Sequence, residues 1–210
     1  MQIQKFTFNS FQENTYVISS KKDCMIIDPG CCNEAEKQML ENYIKNNNLR
    51  PVELINTHCH LDHIFGNQFI ANKYELKPKM HKKDLPLLEK AAEIAKLYGV
   101  QLDPPPLKVD FISENENIYI GDTIWKVMFT PGHSPGHICL LNTDQKKIIA
   151  GDVLFFMSIG RTDLPGSNHN DLIKSIKTKL FTLDDNIEVL CGHGNNTSIG
   201  FEKIHNPFLK

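Results

Sequence analysis

The sequence predicts an α+β protein in which a sandwich of mixed β-sheets is covered by helices. Short strand-like segments dominate both halves of the 210-residue chain, and helical segments lie between only some of them. The sequence contains no linker-like tract and no internal repeat of about 20–50 residues. These observations favour a single domain over residues 1–210.

Four strand-like segments are predicted in the first half of the chain. Two of them alternate apolar and polar residues, as expected of strands with one buried face, and a turn at residues 9–13 joins them. The other two are short apolar runs typical of buried strands, and the first of these ends at Pro29 and Gly30. In chain order the four segments are residues 3–8, 14–19, 24–28 and 52–57.

Three helices are predicted in the same half. The first carries Met39, Leu40, Tyr43 and Ile44 on one apolar face, and the last is closed by Gly99. The run of three prolines after Asp103 excludes regular structure and predicts a loop. The predicted helices are residues 33–46, 65–74 and 86–98.

The second half contains five further strand-like runs and one helix. Turn residues separate the first four runs from one another, and the helix precedes the last run. The predicted strands are residues 117–120, 123–130, 137–142, 146–152 and 187–192, and the predicted helix is residues 171–180.

Composition argues against several classes of function. The formal net charge is −2 and no long run of Lys or Arg occurs, so neither nucleic acid nor an anionic membrane is an expected partner. No segment approaches the roughly 20 apolar residues that cross a bilayer, and the N-terminal residues lack a signal-peptide pattern. We therefore expect a cytoplasmic protein that acts on a small molecule, with its oligomeric state left open.

Six cysteines occur without a CxxC pair or zinc-finger spacing. Because no export signal is present, disulfides are not expected. Cys59 and Cys191 adjoin candidate metal ligands, but free cysteines more often pack in protein cores. Packing is therefore the prediction for both.

The most informative segment is residues 58–63, which holds three histidines and an aspartate directly after a predicted strand. Residues i and i+2 of an extended segment project to one side, so His58 and His60 can bind one ion together. Asp62 and His63 follow where the chain turns toward a helix, and they can face a second ion. Imidazole nitrogen and carboxylate oxygen are suitable ligands for zinc, iron or manganese.

Three further residues of ligand type each follow a predicted strand, namely His133, Asp152 and His193. Loops beyond strand ends are where rigid scaffolds carry functional groups. A solvated loop that is rich in histidine would account for the hexapeptide alone, but not for ligand-type residues at four strand ends. The sequence therefore predicts a metal centre.

These motifs resemble the ordered motifs of the metallo-β-lactamase superfamily: THCHLDH, TPGHSPGH, the Gly-Asp pair that ends at Asp152, and the GHG triplet around His193. The resemblance implies a four-layer αβ/βα sandwich of two mixed sheets with helices on the outer faces. It also implies two metal ions, with Asp152 as a ligand shared by both. The other implied ligands are, for the first metal, His58, His60 and His133 and, for the second, Asp62, His63 and His193.

A narrower resemblance is to short, single-domain bacterial glyoxalase II-like proteins, on the segments GRTDLPGSN (residues 160–168) and GHGNNTSIGFEKIHNPFL (residues 192–209). Those proteins are related to hydroxyacylglutathione hydrolases, which cleave the thioester S-lactoylglutathione. Full-length enzymes of that kind carry a C-terminal helical domain that binds glutathione, and this domain is not expected here. Cys191 stands where the family usually has a proline before GHG.

The implied activity is metal-dependent hydrolysis of a thioester. One or two divalent ions, with zinc preferred over iron or manganese, would lower the pKa of bound water to about 7 and so supply hydroxide at neutral pH. Asp62 and Asp152 would be the catalytic residues that orient this nucleophile and balance charge.

Four other residues near the motifs have roles that the sequence leaves open. A structural hydrogen bond is the preferred role for His137, with support of a metal ligand as the alternative. Arg161 is the candidate for binding a substrate carboxylate, but pairing with Asp163 to fix the loop is the preferred role. Asp28 either supports the metal ligands or caps a turn.

Two other functions fit the same residues. A single iron bound by His58, His133 and Asp152 would have the two-histidine, one-carboxylate geometry of oxygenases, as in the persulfide dioxygenases of the superfamily. A metal-binding protein without catalysis is the third hypothesis. Iron at one equivalent with oxygen uptake on a persulfide would favour the dioxygenase, and a metal-loaded protein inert to thioesters, esters and lactams would favour the third.

Overall fold

A computed structural model describes residues 1–210 and divides them into two compact units. The first unit comprises residues 1–112 and 119–123, and the second comprises residues 113–118 and 124–210. Two six-stranded mixed sheets account for most of the strands, and helices follow or separate them along the chain. The single domain over residues 1–210 stays a prediction.

The sheet of the first unit has its six strands in spatial order identical to chain order. The first three strands are antiparallel to one another, and the last four run parallel. The last two strands are not predicted from the sequence, because segments of two or three residues are too short to show a periodicity. The strands are β1 (Gln2–Phe8), β2 (Glu13–Ser20), β3 (Asp23–Ile27), β4 (Arg50–Ile55), β5 (Pro78–Met80) and β6 (Asp110–Phe111).

Five α-helices belong to the first unit. The first begins after Asn33, whose side chain accepts a hydrogen bond from the amide of Glu36. Of its predicted apolar face, Leu40 and Ile44 are buried in an apolar cluster and Tyr43 packs against that cluster, but Met39 is exposed. A short 3₁₀ turn, Lys82–Asp84, precedes the fourth helix. The helices are α1 (Glu34–Asn46), α2 (Leu61–Ile64), α3 (Asn67–Tyr74), α4 (Leu85–Glu89) and α5 (Ala91–Tyr98).

Two of the predicted helices have different bounds in the structure. The segment predicted at residues 65–74 becomes helical only from Asn67, because the first helical hydrogen bond runs from the Ile70 amide to the carbonyl of Gly66 and so makes Gly66 the N-cap. The segment predicted at residues 86–98 is interrupted at Lys90, which separates α4 from α5.

The sheet of the second unit mixes parallel and antiparallel pairs. β10 pairs in parallel with β13, whereas β8 with β9, β9 with β10, and β13 with β14 are antiparallel. A small separate hairpin consists of β11 (Leu154–Phe155) and β12 (Ser158–Ile159). In spatial order the sheet contains β14 (Thr197–Ser198), β13 (Glu188–Cys191), β10 (Lys147–Gly151), β9 (Ile138–Asn142), β8 (Thr123–Phe129) and β7 (Asn117–Ile120).

Two helices pack on the apolar core of the second unit. α6 (His169–Ser175) continues into a wider π-helical turn, Ile176–Leu180, so the predicted helix at residues 171–180 is present with altered geometry. α7 (Ile199–His205) was not predicted. Leu172 and Ile199 from these helices lie in one buried cluster with strand residues. None of the helices in the structure has the length and apolar character needed to cross a membrane.

Candidate metal centre

The first group of predicted ligands lies at one edge of the first-unit sheet. β3 and β4 run parallel with Ile27 opposite Ile55, so the residues that follow each strand emerge at the same edge. Asp28 follows β3, and its amide donates to the carbonyl of Ile55 at 2.9 Å. The backbone of Asp28 has φ 48°, a left-handed conformation that Asp tolerates better than most residues.

His58, His60, Asp62 and His63 form a compact group that we call the first-unit cluster. The ring centroid of His58 lies 4.7 Å from that of His60 and 4.1 Å from that of His63. Asp62 Oδ2 lies 3.6 Å from His63 Nε2. His58 and His63 are buried, whereas His60 and Asp62 are partly exposed. The single turn α2, which begins after His60, brings the last two residues back toward the first two.

The Asp28 carboxylate orients His63 of this cluster and also binds Thr57, which directly precedes the cluster. Its Oδ1 accepts a hydrogen bond from the Thr57 amide at 2.7 Å, and its Oδ2 accepts from Thr57 Oγ1 at 2.6 Å. The same Oδ2 lies 3.1 Å from His63 Nδ1. Because a carboxylate accepts from a ring N–H, Nδ1 of His63 carries the proton and Nε2 keeps its lone pair for a metal. Asp28 therefore supports a predicted ligand directly, beyond capping its own turn.

Two more buried side chains fix the backbone of the cluster. Asp84 Oδ2 accepts from the amide of Cys59 at 3.0 Å, and Asn56 Nδ2 donates to the carbonyl of His63 at 3.1 Å. Neither Asp84 nor Asn56 is a candidate site residue from the sequence, and nor is Thr57. Thr57 adjoins His58, which was the one available clue, whereas Asp84 lies 25 residues beyond Cys59 with no motif around it.

A buried acid, Glu13, lies next to His63. Burial raises the pKa of Glu13 well above its ordinary value; His63 opposes that rise, and Asp28 adds to it. Glu13 Oε1 lies 3.8 Å from His63 Nδ1. A Cβ atom at Gly30 would lie 2.1 Å from Glu13 Oε2 and 2.7 Å from the carbonyl of Asp62. Only glycine fits between these two residues.

The second group of predicted ligands emerges from one edge of the second-unit sheet. β10 and β13 are parallel, with Gly151 opposite Cys191. β8 is antiparallel to β9, which is antiparallel to β10, so β8 and β10 point the same way. The residues that follow β8, β10 and β13 therefore meet at one edge. They include His133, Asp152 and His193, which we call the second-unit cluster.

Asp152 is central in the second-unit cluster. Its Oδ2 lies 3.5 Å from His133 Nε2 and 3.5 Å from His193 Nε2. Two ligand atoms that bind one tetrahedral ion at about 2.1 Å stand about 3.4 Å apart. The spacing and the nitrogen and oxygen donors thus fit a carboxylate that shares a divalent ion with each histidine.

Neutral groups orient the second-unit cluster. Nδ1 of His133 donates to the carbonyl of Arg161 at 2.8 Å, so Nε2 carries the lone pair that a metal ligand needs. The amide of Asp152 donates to His137 Nε2 at 3.0 Å. His137 is therefore neutral with its proton on Nδ1, which lies 3.3 Å from Thr130 Oγ1. The structural hydrogen bond predicted for His137 is confirmed.

Gly192 permits the close approach of Asp152. A Cβ atom at this position would lie 2.2 Å from Asp152 Oδ1. The glycine before His193 is thus required by packing against the carboxylate.

The loop after β12 contains the Arg161–Asp163 pair. Arg161 Nε and Nη2 each donate to one oxygen of Asp163 at 2.7 Å. These hydrogen bonds hold the pKa of the Asp163 carboxyl at about 2. The structure thus contains the loop-fixing pair, and the binding of a substrate carboxylate by Arg161 stays a prediction.

None of the six cysteines forms a disulfide, and all but Cys32 are buried. Cys59 Sγ lies 3.6 Å from Met80 Sδ in an apolar cluster, and burial raises the pKa of the Cys59 thiol well above its ordinary value. Cys191 packs in the core of the second unit. The packing role predicted for both residues is confirmed.

Comparison with known sequences gives matches over nearly the whole chain. A family model described as the metallo-beta-lactamase superfamily matches residues 9–193. The hydroxyacylglutathione hydrolase GloC of Haemophilus influenzae is 36% identical over 212 residues, covering 100% of this chain and 98% of that protein.

Solved structures share the fold. The crystal structure of BLEG-1, described as a B3 metallo-beta-lactamase, has a TM-score of 0.91 at 32% identity and covers 100% of both chains. TTHA1623, crystallised in a di-iron-bound form, has a TM-score of 0.88 at 34% identity, covering 98% of this chain and 100% of that one. These matches confirm the predicted α+β class with two mixed sheets and helices.

Proposed function

The chain belongs to the metallo-β-lactamase superfamily, and on this premise we propose that it is a metal-dependent hydrolase of thioesters such as S-lactoylglutathione. The superfamily match supports metal-dependent hydrolysis in general. The identity with a hydroxyacylglutathione hydrolase, over nearly the full length of both chains, supports a thioester substrate. A thioester also suits hydrolysis by a metal-activated water, since a thiolate leaves without being protonated first.

Seven side chains are the proposed ligands of two divalent ions. His58, His60 and His133 form one set, and Asp62, His63 and His193 form the other, with Asp152 shared by both. The observation that carries this assignment is the position of Asp152 Oδ2, at 3.5 Å from one histidine of each set. A carboxylate oxygen at this distance from two Nε2 atoms can share an ion with each of them, as a bridging ligand does.

Divalent ions bound at these residues would lower the pKa of water toward 7 and polarise a substrate carbonyl. We propose zinc as the metal, because four-coordinate nitrogen and oxygen sites favour it. Iron and manganese accept the same ligands, and the di-iron form of TTHA1623 makes iron the first alternative to test.

The protein's own groups prepare the proposed site before substrate arrives. Asp28 keeps the His63 proton on Nδ1, and His137 holds the main chain of Asp152. Asp62 and Asp152 are the proposed catalytic residues, whose carboxylate oxygens accept hydrogen bonds from the attacking water and orient it. Because Asp62 is partly exposed, it is accessible to that water.

The proposed substrate is a small molecule, and Arg161 is its proposed carboxylate-binding residue. To bind a substrate carboxylate, the guanidinium would exchange Asp163 for the substrate, which is feasible because both side chains are exposed. We propose a cytoplasmic location, since six cysteines without a disulfide suit a reducing compartment.

The function is tested by metal quantitation and a substrate panel on protein reconstituted separately with zinc, iron and manganese. We expect about two metal ions per chain and hydrolysis of S-lactoylglutathione or another thioester. The panel also contains an ester, a β-lactam and a glutathione persulfide. One iron per chain with oxygen uptake on the persulfide would replace this proposal by a dioxygenase, and full metal loading without any turnover would indicate a non-catalytic metal protein.

Substitution of the shared ligand is the matched mutational test. We expect Asp152→Ala to abolish hydrolysis and to lower the bound metal, because both ions lose a ligand. Asp144→Ala, an exposed aspartate of the same unit, is the control and should retain both. Hydrolysis by metal-depleted Asp152→Ala at the rate of the control would contradict the proposed mechanism.

A further inference from the structure

One hydroxyl group connects two histidines of the first-unit cluster. Thr57 is completely buried, and its Oγ1 lies 2.6 Å from Asp28 Oδ2 and 3.1 Å from His58 Nδ1. The same Asp28 oxygen lies 3.1 Å from His63 Nδ1. His63 therefore reaches this carboxylate oxygen directly, and His58 reaches it through Thr57.

The direction of each hydrogen bond follows from the donors available. A hydroxyl has one proton, and at 2.6 Å from the carboxylate Thr57 donates that proton to Asp28. Thr57 Oγ1 can then only accept from His58, so His58 carries its proton on Nδ1. The chain of donors runs from His58 to Thr57 to Asp28, and it leaves Nε2 of His58 with the lone pair that a metal needs.

We propose that Thr57 is a positioning residue that fixes the tautomer of His58 and couples its orientation to that of His63. The proposal rests on the proposed function in one respect, which is that His58 and His63 belong to different metal sets. Loss of one hydroxyl then weakens metal binding in both sets. The burial of all four side chains in this chain of contacts, between 0% and 2% exposed, excludes solvent as a substitute for the hydroxyl.

Valine and serine substitutions separate the hydroxyl from the shape of the side chain. Thr57→Val keeps the side-chain volume and the hydrogen bond that the main-chain amide of residue 57 donates to Asp28, but it removes the hydroxyl. Thr57→Ser keeps the hydroxyl. We expect Thr57→Val to bind both equivalents of zinc about 10–100-fold more weakly in competition with a chelating dye, and Thr57→Ser to bind them as the wild type does. Thr7→Val, which removes a hydroxyl bonded to Asn14 in the same unit, is the control and should not change affinity.

Ring ¹⁵N NMR of metal-free protein tests the tautomer without reference to metal or activity. At a pH above the ordinary imidazole pKa of about 6.5, we expect His58 of the wild type and Thr57→Ser to be the Nδ1–H tautomer. We expect a mixture of tautomers in Thr57→Val. A wild-type His58 protonated on Nε2 would overturn the proposal, even if the valine variant failed to fold, and so would serine and valine variants that behave alike.

The outcomes also separate this proposal from the proposed function. If the wild type binds two metal ions with the expected tautomer but hydrolyses nothing, the proposed function fails and the role of Thr57 stands. If the wild type hydrolyses thioesters and Thr57→Val binds metal with unchanged affinity, the role of Thr57 fails and the proposed function stands.

Discussion

The two clusters orient their imidazoles with different partners, an anionic side chain in the first unit and neutral groups in the second. His63 bonds the carboxylate of Asp28, whereas His133 bonds the main-chain carbonyl of Arg161. Hydrogen bonds to a charged group are stronger than those between neutral groups. We therefore expect the first-unit cluster to depend on a few side chains, and the second-unit cluster to depend mainly on backbone geometry.

Removal of the anionic partner has the largest expected effect. Asp28→Ala deprives three buried donor groups, the amide and hydroxyl of Thr57 and Nδ1 of His63, of their acceptor, and we expect the free energy of unfolding to fall by about 3 kcal/mol. Urea denaturation of the metal-free variant measures this change. Asp23→Ala, which breaks an ion pair with the exposed Arg50, should cost no more than about 1 kcal/mol. Equal losses in the two variants would remove the distinction between the clusters.

Removal of the neutral imidazole of His137 has an intermediate expected effect. His137→Ala leaves the Asp152 amide without its acceptor, and we expect a 10–100-fold loss of metal affinity, of the order found when a residue that supports a ligand is replaced. Calorimetric titration measures this loss, with His169→Ala as the control because the exposed His169 contacts the loop residue Thr162 rather than a proposed ligand. A loss of folding stability as large as that of Asp28→Ala would show that neutral partners matter as much as the anionic one.

Truncation of Arg161 has the smallest expected effect on the metal ligands. His133 is held by the main-chain carbonyl of Arg161, so Arg161→Ala should leave the His133 ring resonances and the metal affinity unchanged. The variant should raise the pKa of Asp163 from about 2 toward the ordinary value of about 3.9. NMR titration of the carboxyl carbon measures this rise.

The lowered pKa of Asp163 determines the pH range in which the Arg161–Asp163 pair is present. Because the pairing lowers the pKa of Asp163, the pair persists at higher pH and is lost only as the pH falls through about 2. The same variant tests the proposed substrate contact. An increased KM for a thioester with a free carboxylate, without a change for a neutral thioester, would support it, and equal KM values for both substrates would oppose it.

The ligand-bearing strand ends could be predicted because each carries its own local pattern. An apolar run followed by His or Asp is visible within a few residues, as at His133 and Asp152. The partners that orient those ligands have no such pattern. Asp28 meets Thr57 only because β3 and β4 pair in parallel across 29 residues of sequence, and no local rule gives the register of that pair.

The element bounds show the same division between local and long-range causes. Asn33 and Gly99 mark the ends of α1 and α5 at the positions where capping residues predict them. Lys90, at which the helix predicted over residues 86–98 is interrupted, is itself a good helix former. No glycine or proline stands at this break, so local propensity could not have located it.

The uneven exposure of the thiols gives the protein an internal reporter of its own unfolding. Cys32 is exposed and the other five cysteines are buried, so a bulky maleimide should add once to a folded molecule. Further additions require the cores of the units to open, and each adds a fixed mass. Mass spectrometry of a labelling time course therefore counts folded and opened molecules separately, in the unmodified natural sequence and without an attached probe.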